Sequence, residues 1–198
     1  MGGWEVKPLG QVLKLEYGKP LPKEDRDDDG EFPAYGANGI KCRTNNFYFE
    51  KPSIILGRKG SAGELTLTTE KFWPLDVTYF VTYDEHSYDL LFLYHALKSL
   101  HLPKLAKGVK PGINRNDVYK IEFPFPSLPE QRRIAAILDD AFEGISAAVA
   151  NAEKNLANAR ELFESYLNAV FTQRGEGWEP VKLTDLTTDI TRIIHDAA

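Results

Sequence analysis

The residues of this chain best suited to chemistry are cations set among glycines. Gly57-Arg58-Lys59-Gly60-Ser61-Ala62-Gly63 carries an arginine and a lysine on a glycine-rich connection. Lys59-Gly60-Ser61 reverses the Gly-Lys-Ser/Thr order of a Walker A loop, and the stretch is not G-x-G-x-x-G either, so it does not read as a nucleotide cradle. The plain alternative is a glycine hairpin between strands. The functional reading is a hairpin whose backbone approaches DNA, with Arg58 able to bond guanine O6 and N7 in parallel, Lys59 neutralising phosphate and Ser61 beside them. A second basic stretch, PKLAKGVKPGINRN at 103–116, adds Lys104, Lys107, Lys110, Asn114 and Arg115. Tyr35 and Asn38, in the aromatic turn FPAYGANG, and Lys41 and Arg43 just after it complete the candidate DNA face.

Charge distribution supports this reading better than total charge does. The chain carries −5 overall, which argues against non-specific nucleic-acid binding. That sum hides an acidic run at 24–31 worth −5 and two basic blocks, +4 over 32–60 and +5 over 98–120. Solvated surfaces would account for such blocks; a localised footprint for phosphates is the sharper expectation.

Catalytic sets are missing from the sequence. There is no Asn-Pro-Pro-Tyr-like or adenosylmethionine motif, so the chain is not expected to methylate DNA itself. The one Glu-x-Lys triplet, Glu5-Val6-Lys7, lacks an upstream carboxylate for a nuclease metal site. No G-x-S-x-G, C-x-x-C or H-E-x-x-H occurs, and His86, His95 and His101 have no metal-ligand spacing. No cofactor and no metal are expected. A single cysteine, Cys42, excludes an internal disulfide and suits a reducing compartment. With no apolar run long enough for a bilayer, the expected location is the cytoplasm.

The elements that must position these side chains are readable in outline. Trp4 to Leu15 opens the chain, turns follow at Gly18, Pro20 and Pro22, and 24–31 reads as a mobile loop. Strands are expected at 47–49, 53–56, 64–69, 76–83 and 117–126, with a helix at 88–100 capped by Ser87. The proline-rich PFPSLP marks a boundary: 1–126 is one domain, 127–174 a long helix, and 175–198 a tail. The fold class is therefore α+β, a mixed α/β globular domain followed by one long helix.

That helix has its own logic. Apolar residues at Ile134, Leu138, Ala141, Ile145, Ala148, Ala152, Leu156, Ala159, Phe163, Tyr166 and Val170 recur at an average step of 3.6, the α-helical period. Ser127 and Glu130 form a capping-box pattern, Pro129 suits the first turn, and Gly175 and Gly177 mark the stop. A rod of about 65 Å cannot bury such a stripe against a small domain, so it must meet another long helix. The antiparallel pairing face is expected at Ile134, Leu138, Ile145, Ala148, Ala152, Leu156, Ala159, Phe163 and Tyr166, with little supercoil because the 4–4 step at Ala152 breaks a heptad. A bend at Gly144 or among Asn151, Asn155 and Asn158 is the alternative, since glycine within a helix costs only ~1 kcal/mol.

An internal repeat links the two ends. Gly3-Trp4-Glu5-Val6-Lys7-Pro8-Leu9 recurs as Gly177-Trp178-Glu179-Pro180-Val181-Lys182-Leu183. The chain thus reads as one domain-plus-helix unit and the opening of a second.

Four stretches, FPAYGANGI, IILGRKGSAG, GINRNDVYKIEFPFP and LPEQRRIAAIL, together with the Trp-Glu opening, resemble the specificity (S) subunit of type I restriction–modification enzymes. The resemblance covers nearly all of 3–175, and the Leu-Pro-Glu-Gln-x-x-Ile helix start is its most specific part. It implies a target recognition domain at 1–126 that reads half of a bipartite double-stranded DNA target. It implies that the helix is a spacer and a dock for the methyltransferase (M) subunit and, through it, the restriction (R) subunit. A full S subunit has two recognition domains and two helices; here there is one of each, so the chain looks like a half-subunit or a truncated one, and the apolar stripe of the helix leads to the expectation of a homodimer. Two other readings compete: a free-standing homodimeric DNA-binding regulator without a methyltransferase, and a scaffold that does not bind DNA. Co-purification of a methyltransferase separates the first two, and a salt titration of duplex binding tests the third.

Overall fold

The structure is a computed structural model that describes residues 3–172 together with Val181 and Lys182. The expected second-unit opening at 177–198 falls largely outside the described residues. Among the described residues nine strands and three α-helices follow in order: β1 Glu5–Pro8, β2 Leu13–Tyr17, β3 Phe32–Gly36, β4 Gly39–Thr44, β5 Ser53–Gly57, β6 Leu65–Thr68, β7 Trp73–Pro74, β8 Thr78–Tyr83, α1 Leu90–Ser99, α2 Arg115–Tyr119, β9 Glu122–Phe125 and α3 Leu128–Thr172. They form three small sheets, ordered β2-β8-β5-β6, β4-β3-β7 and β1-β9. The mixed α+β class and the long terminal helix are both present.

The four-stranded antiparallel sheet is the hub, and its inner strands show why. Every residue of β5 is buried, so its sequence Ser-Ile-Ile-Leu-Gly has no polar alternation. Successive side chains of a strand point to opposite faces. Ile54 and Leu56 accordingly enter the large core with α1, while Ile55 enters an aromatic cluster with Tyr35, Phe72 and Phe80. β8 repeats the pattern, with Tyr79 and Val81 in the large core and Phe80 in the aromatic cluster. The buried Ser53 hydroxyl donates to the Val81 carbonyl at 2.7 Å, so no polar group is stranded there.

Several local expectations are corrected. Helix α1 is capped by Asp89, whose Oδ1 accepts from the Phe92 N–H at 3.0 Å; Ser87 instead donates to Asp84 at 2.6 Å. The stretch expected as a strand over 117–126 begins helical, because the Asn114 side chain accepts from the Asn116 N–H at 2.9 Å and nucleates α2. Residues 47–49 make a single bridge, Phe49 to Phe72, in place of a strand. The acidic run at 24–31 is tied down: the Arg43 guanidinium donates to the carbonyls of Gly30, at 2.6 Å, and Glu31, and the Asn45 amide donates to Asp27 at 3.1 Å.

The chain divides into two units, Met1–Phe142 and Glu143–Ala198. The first unit includes residues 128–142 of α3, and a glutamine explains their attachment. Gln131 is 1 % exposed. Its amide donates to the Pro126 carbonyl at 2.9 Å and the Ser87 carbonyl at 3.3 Å, and its Oε1 accepts from the Asp89 N–H at 3.0 Å. Ala135 is buried beside it and Ile134 packs on the core. His95, on α1, meets Asp139 at 2.8 Å and stacks on Phe142. The capping box does not close: Glu130 pairs with Arg133 through two contacts of 2.8 Å, which holds the Glu130 carboxyl below its usual range.

The helical residues run uninterrupted through Gly144 and the asparagines, with no hairpin loop at either place. Within 143–172 no residue is buried.

Candidate nucleic-acid interface

Three loops of the globular unit meet through backbone atoms, and two of them are hydrogen-bonded to each other. The first is the β3–β4 hairpin, whose ends Gly36 and Gly39 pair across Ala37-Asn38. Gly39 has φ 114°, a left-handed conformation that glycine adopts freely. The second is the β5–β6 hairpin, closed by Gly57 N–H to the Glu64 carbonyl at 2.8 Å and Gly63 N–H to the Gly57 carbonyl at 2.8 Å. A Cβ on Gly57 would stand 2.1 Å from the Ser61 oxygen and 2.6 Å from the Ala37 oxygen, so only glycine lets the two hairpins touch. The third is the basic loop, in which Lys107 and Gly112 exchange both backbone bonds, at 3.0 and 3.1 Å. It is fixed to the second hairpin by Gly60 N–H to Pro111 and Ile113 N–H to Arg58, both 3.0 Å. Asn38, Gly60, Ser61, Pro103, Ala106 and Pro111 line part of a cleft of about 640 Å³ among these loops.

The glycine-rich connection and the basic stretch, separate in the sequence, are thus one platform. Lys59, Lys104, Lys107 and Lys110 are exposed on it, as is Asn38. Lys107 also reaches Asp117 at 3.2 Å, an exposed pair that leaves its ammonium accessible. Arg58 and Arg115 are half-buried around an aromatic pair. The Arg58 Nε and Nη2 donate to the Asp76 carbonyl at 3.2 and 2.6 Å, and its guanidinium lies 5.4 Å from the Tyr17 ring centre. Arg115 Nη1 donates to the Leu15 carbonyl at 3.2 Å, and its guanidinium lies 4.8 Å from the same ring. Tyr17 packs on Tyr79 at 5.0 Å. Burial, and then the hydrogen bond with Tyr17, push the Tyr79 hydroxyl above its usual range, so it stays neutral. Two cations with fixed orientation and spare N–H groups suit a phosphate better than the edge of a base, because half of Arg58's fork is already engaged.

The remaining candidates separate cleanly. Tyr35 is 5 % exposed, with its ring edge-on to Phe72, and serves the aromatic core; its burial removes it from any surface role. Arg43 holds the acidic loop, and Asn114 caps α2. Lys41 is exposed on β4. Tyr17, 47 % exposed between two arginines, was not picked out in the sequence; its position just before Gly18, at the end of a strand, was the available signal. Among the described residues no cluster of three or more histidine, cysteine, aspartate or glutamate side chains could hold a metal ion. No helix among them is long and apolar enough to cross a membrane.

The pairing candidates on α3 also divide. Ile134 packs on the globular core and is not free for another helix. In 143–172 eight of the exposed apolar residues make two heptad series: Val149, Leu156, Phe163 and Val170 step by seven, and Ile145, Ala152, Ala159 and Tyr166 step by seven beside them, while Leu162, Leu167 and Phe171 are exposed outside them. Counting the exposed Val149 in place of Ala148 removes the 4–4 step from this series. A sustained period of 3.5 favours a left-handed supercoil on pairing.

Residues 1–155 match the family described as type I restriction modification DNA specificity domain. A Mycoplasma pneumoniae protein assigned as a type I specificity subunit is 31 % identical over 179 residues, covering 85 % of this chain and 46 % of that protein. The specificity subunit of the Escherichia coli type I restriction enzyme EcoDI is 26 % identical over 173 residues, 85 % of this chain and 37 % of that protein. The crystal structure of a type I restriction–modification S subunit from M. genitalium superposes with a TM-score of 0.64 at 25 % identity, over 86 % of this chain and 46 % of that one. The chain therefore spans less than half the length of these relatives.

Proposed function

The chain belongs to the type I restriction–modification DNA specificity family, and from that premise we propose that it is the sequence-specific DNA-recognition subunit of a type I restriction–modification complex. It directs a methyltransferase subunit, and through it a restriction subunit, to a bipartite duplex target in the cytoplasm, and performs no catalysis itself. Residues 1–126 are the recognition domain, 127–174 the spacer and dock, and 175–198 the start of a second unit. The observation that carries this reading is the platform made by the β5–β6 hairpin and the basic loop, joined by backbone bonds, with Lys59, Lys104, Lys107 and Lys110 exposed upon it. Phosphate contacts from such lysines fix register, and side chains at the loop tips read bases.

The helix supports a two-fold assembly. Exposed apolar seams of this length are rare on soluble monomers, and a second copy is the simplest cover. An antiparallel pair places two recognition domains on two half-sites of an inverted repeat. A free-standing homodimeric regulator uses the same surfaces without a methyltransferase. Co-expression with an adenine methyltransferase subunit decides between them: the expected result is co-purification and adenine methylation at an interrupted inverted repeat. A chain that binds such a repeat alone, and carries no methyltransferase through purification, would favour the regulator.

A further inference from the structure

Val109 is the most exposed apolar side chain of the globular unit, at 108 %. It stands at the tip of the loop Lys107-Gly108-Val109-Lys110, where Gly108 takes φ 93°. Turn tips ordinarily hold glycine, asparagine, aspartate or serine, because these tolerate or cap the backbone there. A β-branched residue is a poor turn former and, touching nothing, adds nothing to folding. Isolated surface valines are common enough; this one is held out on a closed support. The loop base is fixed by the paired Lys107–Gly112 bonds, and the loop is anchored to the second hairpin at Gly60. The tip cannot fold back to cover the side chain without breaking those bonds. Exposed Lys107 and Lys110 flank it, so the charge that attracts phosphate brings this apolar point to the duplex.

We propose that Val109 is a specificity-determining residue that reads the 5-methyl group of a thymine in the major groove of each half-site. Thymine is the base that offers an apolar group in that groove. The inference rests on the reading of this platform as the DNA interface.

The test uses the full chain and a duplex that it selects from a randomised pool. Each thymine of that duplex is then replaced by deoxyuridine, which lacks only the methyl. One position per half-site is expected to lose affinity by about four-fold, the value of one buried methyl-sized group. Val109→Ala should bind thymine and deoxyuridine alike at that position, with an unchanged dependence of affinity on salt, and Val109→Ile should keep the distinction. Val109 touches no other residue closely enough to be needed for folding, so the variants remain interpretable. Indifference of the wild-type chain to deoxyuridine at every position overturns the proposal, as does undiminished discrimination by Val109→Ala. A wild-type chain that enriches no sequence overturns the recognition reading itself, and this inference with it.

Discussion

Residues 3–142 and 143–172 handle the same problem, how to cover an apolar helical face, in opposite ways. In the globular unit α1 buries Phe92, Leu93, Ala96 and Leu97, and α3 buries Gln131 and Ala135. Among the described residues no buried side-chain nitrogen or oxygen lacks a partner. In 143–172 the helix bonds its own backbone, yet Leu156, Phe163 and Tyr166 stand 54–70 % exposed. The lesson is that helix formation and helix burial are separable. The first needs only local hydrogen bonds and good helix formers; the second needs a surface, and the seam of this segment has none among the described residues of its own unit.

Polar substitution of that seam should have the largest effect and should be confined to assembly. Leu156→Gln with Phe163→Gln is expected to remove about 6 kcal/mol of association free energy from a symmetric dimer, since each chain withdraws two large side chains from the contact. Sedimentation reads the loss, and the thermal stability of the globular unit should not move. A monomer already present in the wild-type chain at tens of micromolar would break the comparison, leaving the methyltransferase as the cover.

Gln131→Leu is the complementary change inside the globular unit. It strands the Asp89 N–H and the Ser87 and Pro126 carbonyls, at an expected cost of about 3 kcal/mol in urea unfolding. If this variant unfolds like the wild type, α3 is attached by something other than its glutamine.

Smaller effects sharpen the contrast between surface and core within one unit. Lys107→Glu with Lys110→Glu should weaken binding to all duplexes by roughly ten-fold and flatten the logarithmic salt dependence by about two, while melting stays near that of the wild type. A loss restricted to one sequence would mean that these lysines read bases.

The smallest effect lies at Asp84. The Ser87 hydroxyl, followed by the His86 N–H, holds its carboxyl below the usual range. A depressed folded-state value contributes stability above the ordinary carboxylate range and loses it as pH falls through the lowered value. Asp84→Asn should therefore differ from the wild type above about pH 4 and converge with it in stronger acid. Because the group is exposed, the gap should be slight, and denaturant titrations across that range measure it.

Much of this arrangement was legible in the residues. The 3.6 period announced α3, and the β-branched runs at 53–56 and 76–83 announced the two inner strands. The glycine spacing announced the β5–β6 hairpin. What escaped was decided by competition among neighbours. Ser87 looked like a helix cap until Asp84 claimed its hydroxyl, and nothing in the sequence signalled that the Arg43 guanidinium would hold two carbonyls of the acidic loop. Tyr35 shares the aromatic composition of an exposed reader, and only the pairing of β3 with β7 sends it inward. Charge and glycine content grouped the two basic stretches as one face in the sequence, but the bonds that join residues around 58 to residues around 112 have no periodic signal in either stretch.

The glutamine at the head of α3 carries a consequence for inheritance. It recognises two carbonyl oxygens and one N–H, all of them main-chain atoms that every non-proline residue supplies. The anchorage of the helix therefore asks for one side chain and for a backbone path, and is indifferent to most substitutions in what it grips. Loop tips such as Asn38 and Val109 can drift in sequence without disturbing that grip. If the loop tips read bases as proposed, the reading can change while this joint is left as it is, as a key is recut without altering its bow.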